Sequence, residues 1–324
     1  MSEVGVQREG GEAPTIDRPS GRRRSDRVVG AGRATQGVVD QAMAVARSDR
    51  PVLVHGPEGC GKNHLARAIH AWSGRNAGPL VVVSCSSVNE NFLARELFGC
   101  SGATYPTLPE ESAGGLGRAA GGTLIIDGVD TLPQALVVRL ARAVAEGSYK
   151  REGDGGASPL RARVIATTVS APERSIFGDP PHHVIGILPL TERREDVLPL
   201  AAHFLRLFAN EEGVVPVGFT SDARNALVAE NWSANVRELA ERVRQSIRLA
   251  GGGAISAEAL MLAADADEVP SFKEAKRAFE TRYVTGLLRR CGGNISRAAR
   301  LAKKDRKDFY DVIRRTGVDP SDFR

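Results

Sequence analysis

The chain has 324 residues, 42% of them hydrophobic and 26% charged, with a formal net charge of +5. These values exclude a fibrous or wholly disordered chain and leave room for two or three domains with proper cores. No run of about 18 apolar residues occurs, so no membrane-spanning helix and no membrane partner are expected.

In chain order, residues 1–27 lack the apolar core of a secretion signal and read as a disordered tail, with Arg22, Arg23 and Arg24 solvated. From 28 to 190, the short apolar runs "PVLVHG", "LVVVS", "GTLIID" and "RVIATT" alternate with helical patterns such as "HLARAIHAW" and "ALVVRLARAVAE". Continuous apolar strands separated by helices predict a parallel sheet covered on both faces. From 191 to 265 the pattern is helical only, and Gly251, Gly252 and Gly253 end its last long helix. "ADADEVPS" reads as a linker, with Pro270 before the next helix.

Residues 266–324 read as three helices. Phe272, Ala275, Phe279, Tyr283, Leu287 and Leu288 form one stripe of the first, and Gly292 and Gly293 stop it. Asn294 is placed to cap the second helix and Asp305 the third, whose Phe309, Val312 and Ile313 face inward. Arg306, Lys307, Tyr310 and Arg314 remain outside, a helix-turn-helix with a basic face. From 271 to 324, fifteen Lys/Arg stand against seven Asp/Glu, a local +8 that points to a polyanion partner. Cys60, Cys85, Cys100 and Cys291 lack metal-ligand spacing and read as reduced thiols of a cytoplasmic protein.

Two stretches carry nucleotide chemistry. In "GPEGCGKN", Gly56, Pro57, Glu58, Gly59, Cys60, Gly61, Lys62 and Asn63 follow a strand and open a helix. Glycines there let backbone N–H groups ring phosphates, and Lys62 supplies charge to the β/γ-phosphates of ATP or ADP. The Ser/Thr that commonly follows the lysine and ligates magnesium is replaced by Asn63. In "TLIIDGVD" an apolar strand delivers Asp127, the candidate to hold Mg²⁺ through the nucleotide, yet Gly128 follows it.

The chain resembles the NtrC-type bacterial enhancer-binding proteins, the AAA+ activators of sigma-54 RNA polymerase. "VLVHGPEGCGKNHLARAIH", "SCSSVNENFLARELFG", "GGTLIIDGVDTLP", "LPLTERREDVLPLAAHFL" and "NWSANVREL" are similar to family stretches in order. The end of the chain, "GGNISRAARLAKKDRKDFYDVIRRTGV", looks like the family's Fis-type module. The resemblance implies an AAA+ parallel sheet with helices on both faces, a helical lid and an all-α DNA-binding end. No receiver or sensor domain fits in residues 1–27. It also implies that Arg237 reaches the phosphates. Asn294, Arg297, Arg306, Lys307, Tyr310, Arg314 and Arg315 would meet double-stranded DNA as a dimer or larger homo-oligomer.

Departures from the family point one way. The carboxylate that orients the attacking water corresponds to Gly128, its restraining Asn to Ser84 and the sensor Asn to Val169. No arginine stands between Arg174 and Arg193, where the family carries arginine fingers. The loop that engages sigma-54 is Gly102, Ala103, Thr104, Tyr105, Pro106 and Thr107, without the family's aromatic and second glycine in place. Lys303 stands where a turn glycine is frequent. The expectation is a DNA-binding regulator that binds ATP or ADP but is impaired in hydrolysis and in sigma-54 engagement. An active ATPase, with Asp130 replacing the lost carboxylate, and an inactive subunit of an AAA+ paralogue's assembly are the alternatives.

Overall fold

The structure, a computed structural model, describes residues 28–323 apart from 87–88, 102–110, 170–176, 178–181, 216, 251–252 and 264–271, with residues 262, 272–279 and 282 described by backbone alone. The tail, Pro270 and the Gly102–Thr107 loop therefore lie outside the described residues, as do the side chains of Phe272, Ala275 and Phe279. Two compact units are present, one ending at Leu260 and one beginning at Met261.

The first unit begins with α1 (Arg33–Ala46), β1 (Val52–His55), α2 (Lys62–Trp72), β2 (Leu80–Ser84) and α3 (Glu90–Phe98). It continues through α4 (Gly114–Arg118), β3 (Thr123–Asp127), α5 (Gln134–Glu146) and a small hairpin of β4 (Ser148–Tyr149) and β5 (Ser158–Pro159). Strands β6 (Arg163–Thr168) and β7 (His183–Gly186) complete a parallel sheet in the order β2-β3-β6-β1-β7.

Alternation along each strand divides the core. Leu53, Leu124, Ile126, Val164 and Ala166 pack with Leu93, Leu97, Leu116, Leu136 and Leu140 from α3, α4 and α5. Val52, Val54, Ile125, Ile165 and Ile185 pack with Ala42, Leu65 and Ile69 from α1 and α2. A strand's period of two makes each face apolar, which is why these runs read as uninterrupted. Arg163 is buried and donates to the carbonyls of Val45 (2.8 Å), Ala46 (3.4 Å) and Arg50 (3.2 Å), closing the end of α1.

Helices α6 (Val197–Glu211), α7 (Ser221–Ala229), α8 (Asn235–Ala250) and α9 (Ala257–Leu262) follow. Leu200, Leu205, Leu227, Trp232, Leu239, Val243 and Leu260 form their shared core. The Trp232 indole N–H is satisfied by the Leu227 carbonyl at 3.0 Å.

In the second unit, α10 (Phe272–Arg290) precedes α11 (Ile295–Leu301) and α12 (Arg306–Thr316). Val284, Leu288, Ala298, Ala299, Phe309 and Ile313 make its core. Tyr283, expected on the inner stripe, is 46% exposed, and Val284 takes the inward position. Asn294 accepts from the Arg297 N–H at 3.0 Å and caps α11. Asp305 occupies the cap position of α12 without a side-chain bond to the helix.

Candidate nucleotide site and basic helix face

The glycine loop joins β1, which lies between β6 and β7 in the sheet, to α2. Gly59 and Gly61 take φ values of +70° and +106°, a region that disfavours any side chain. Space is equally tight: a Cβ on Gly59 would lie 2.1 Å from the Ala234 carbonyl oxygen. Within this loop Lys62 Nζ donates to the carbonyls of Gly56 (2.7 Å) and Pro57 (2.9 Å). Cys60 is buried beside it, and burial outweighs Lys62 and Arg193 in pushing its thiol pKa upward. Among the described residues Asn63 Oδ1 is buried with no hydrogen-bond partner, an acceptor placed in the first turn of α2.

Asp127 ends β3, separated from β1 by β6, and is level with Ser84 of β2. Its carboxylate accepts from Thr167 Oγ1 at 2.6 Å, and the same hydroxyl accepts from the Gly128 N–H at 3.1 Å. Gly128 is left-handed, with φ +76° and ψ +49°. Asp130 is exposed and accepts from the Val169 N–H at 3.3 Å. Cys85, one residue beyond Ser84, is buried and its thiol is pushed up to about 12, by burial first and then by Asp127 and Asp130.

Besides Arg237, the lid meets the loop through Asn235 and Arg193, which motif reading did not single out. Asn235 is a buried non-glycine at φ +58°. Its carboxamide donates to the Glu58 carbonyl (2.9 Å) and accepts from the Leu190 N–H (2.8 Å). Arg193 is buried, donates to the Cys60 carbonyl (2.7 Å) and the Leu188 carbonyl (3.1 Å), and lies 3.8 Å from Asp196. Asp196 is fully buried and accepts from the N–H groups of Ala31 (2.7 Å) and Gly32 (2.8 Å) and from the Thr35 hydroxyl. Arg237 N–H donates to the Gly59 carbonyl at 3.2 Å, while its exposed guanidinium stands 3.9 Å from Glu58. The repeated Thr at the end of "RVIATT" was a sequence signal for Thr167, whereas the left-handed backbone of Asn235 is visible only in the structure.

Gly56, Pro57, Glu58, Gly59, Cys60, Gly61, Lys62, Asn63 and Arg237 thus cluster at one end of the sheet, and Asp127 stands at the tip of β3. One ammonium, a ring of loop amides, a carboxylate and an orphan carboxamide oxygen can serve an anion accompanied by a divalent cation. The Gly102–Thr107 stretch is outside the described residues, but its base is closed by paired bonds between Cys100 and Ser112, both 3.0 Å.

In the second unit Arg297, Arg306, Lys307, Tyr310 and Arg314 are exposed. Arg315 differs: its guanidinium bonds Glu280 at 2.9 Å and is tied back to α10. Asn294 spends its carboxamide oxygen on the cap of α11. Lys303, in the turn between α11 and α12, takes φ +52°.

Residues 28–178 match the family model of the Sigma-54 interaction domain, and residues 191–276 match that of the AAA+ ATPase lid domain. The transcriptional regulatory protein GlrR of Escherichia coli K12 is 32% identical over 298 residues, covering 89% of this chain and 67% of GlrR. ZraR of Klebsiella oxytoca is 33% identical over 303 residues, covering 89% and 68% of the two chains. Among solved structures, NtrX from Brucella abortus in complex with ADP superposes with a TM-score of 0.65 at 26% identity, covering 91% of this chain and 70% of that one. The same protein in complex with ATP gives a TM-score of 0.64 at 27% identity, over 90% and 69%.

Proposed function

The chain belongs to the family of sigma-54-dependent transcriptional regulators built on an AAA+ domain, and from that premise we propose that it is a DNA-binding regulator whose AAA+ body holds ATP or ADP with little or no turnover. The residues fit the nucleotide. Loop amides between Gly56 and Asn63 and the Lys62 ammonium would hold the phosphates, with Arg237 at their rim. Asp127 and the unpartnered Asn63 Oδ1 are hard oxygen donors suited to the accompanying Mg²⁺. Such a complex supplies an electrophilic γ-phosphorus, and turnover then depends on orienting a water and stabilising transferred charge.

The observation that carries the reading is Gly128. It offers no carboxylate beside Asp127, and its left-handed backbone leaves that place unfavourable for one. Val169, half-exposed after β6, has no group to sense a γ-phosphate. The sequence between Arg174 and Arg193 supplies no arginine, a residue worth roughly 10³–10⁵ in rate in other NTPases. Bound nucleotide then acts as a structural ligand or switch, stabilising the state that binds it.

Calorimetry with ATP and ADP, alongside phosphate release by the same sample, tests this directly. The expected result is saturable binding that Lys62→Ala abolishes, with phosphate release equal to that variant's. Release well above the Lys62→Ala control would favour a working ATPase that remodels sigma-54 RNA polymerase, with Asp130 as the replacement carboxylate. Co-purification with an active AAA+ paralogue would instead favour an inactive subunit of a mixed assembly. The DNA-binding part rests on the exposed cations of α11 and α12, and a mobility shift with genomic fragments tests it.

A further inference from the structure

The outer face of α12 is not uniformly basic. Phe309, Ile313 and Thr316 are buried and define the helix's inner side. At about 100° per residue, the opposite direction is taken by Lys307, Asp311 and Arg314, all exposed. A carboxylate therefore stands between two cations at the centre of the surface that the proposed function turns toward DNA.

Neither the helix dipole nor packing accounts for it, and although Lys307 (i−4) and Arg314 (i+3) lie on the same helix surface, neither makes an ion pair with it among the described residues. Asp308 lies in the first turn, where the helix dipole favours an anion; Asp311 lies beyond that range. A cation one turn on, Arg315, gives its guanidinium to Glu280 of α10 instead. Among the described residues the Asp311 carboxylate has no hydrogen-bond or ion-pair partner. An unpaired anion on such a face costs affinity for a polyanion unless it accepts a proton donor from the ligand itself.

Phosphates offer a carboxylate nothing but repulsion. In the major groove the donors are the exocyclic amino groups of cytosine and adenine, and adenine's lies beside the N7 acceptor, which repels a carboxylate. Guanine and thymine present acceptors on the same edge. We infer that Asp311 is a specificity-determining residue that accepts from the N4 amino group of a cytosine, flanked by Lys307 and Arg314. This inference rests on the DNA-binding reading above. It adds a sequence preference that phosphate contacts alone would not give.

Selection from a randomised duplex library with the full chain, followed by sequencing, tests it. For the wild-type protein the expected motif has a cytosine at one position of each half-site. In Asp311→Ala that position becomes degenerate while the rest of the motif persists, and the preference falls about tenfold. In Asp311→Asn the preference moves to adenine, because a carboxamide can pair with both N6 and N7. A wild-type motif that both variants reproduce unchanged would overturn the role of Asp311 and leave DNA binding standing. Failure of the wild-type chain to enrich any sequence would overturn the DNA-binding reading with it.

Discussion

At the scale of single residues, the glycine loop carries Lys62 while the tip of β3 carries Gly128 directly after Asp127. The tip of β3 is held by Thr167, whose hydroxyl serves Asp127 and Gly128 at once. Replacing Gly128 with glutamate would return a carboxylate but set it on a left-handed backbone. The expected outcome is a loss of about 1–2 kcal/mol in denaturant unfolding and phosphate release no faster than wild type, because the arginine deficit persists. Another residue-scale effect concerns acid. His203 of α6 is held below the usual imidazole range, by burial first and then by Arg206 and His64. Its folded pKa lies below the unfolded value, so its contribution is fully present above about pH 6.5 and is lost as the pH falls further. Unfolding midpoints measured between pH 7.5 and 5 should decline, and His203→Gln should remove part of that slope.

At the scale of elements, the sequence was legible wherever one segment carried its own pattern. Strands β1, β2, β3 and β6 appear as apolar runs because both of their faces are covered. Strand β7 was not separable, since "HVIG" is short and joins the sheet only through pairing with β1. The glycine loop and Asp127 were readable for the same local reason. Asn235, Arg193 and Asp196 were not, because their partners lie far away in sequence and polar side chains carry no periodic signal. Asp305 takes the expected N-cap position of α12 with extended backbone, but its side chain makes no bond to the helix N–H groups. In the α11–α12 turn, Lys303 bears a strain that a glycine would relieve. Lys303→Gly should raise the stability of the second unit by about 1 kcal/mol, less any loss from the more flexible unfolded chain, measured by urea unfolding. An unchanged or lowered midpoint would show that the left-handed lysine costs nothing there.

At the scale of the whole molecule, one buried carboxylate ties distant parts of the first unit together. Asp196, at the start of the lid, collects the N–H groups of Ala31 and Gly32, the Thr35 hydroxyl and a neighbouring Arg193. Arg193 in turn reaches the Cys60 carbonyl in the glycine loop. Entry to α1, the lid and the phosphate loop are thereby one connected polar network. Breaking it by Asp196→Ala would strand a buried guanidinium and several donors, a loss of about 3–5 kcal/mol. Thermal unfolding should show the first unit's transition falling steeply while the second unit's helical signal holds. A small shift confined to a few tenths of a kcal/mol would mean that water replaces the carboxylate.

The left-handed tip of β3 also bears on descent. Any lineage holding glycine at position 128 can let the surrounding chain settle into a conformation that other residues enter only with strain. From there a single codon change toward glutamate would meet a folding cost before chemistry could reward it. If turnover was lost as proposed, its recovery would need a second change that swings the peptide back, so the substitution would behave as a ratchet, easier to acquire than to reverse.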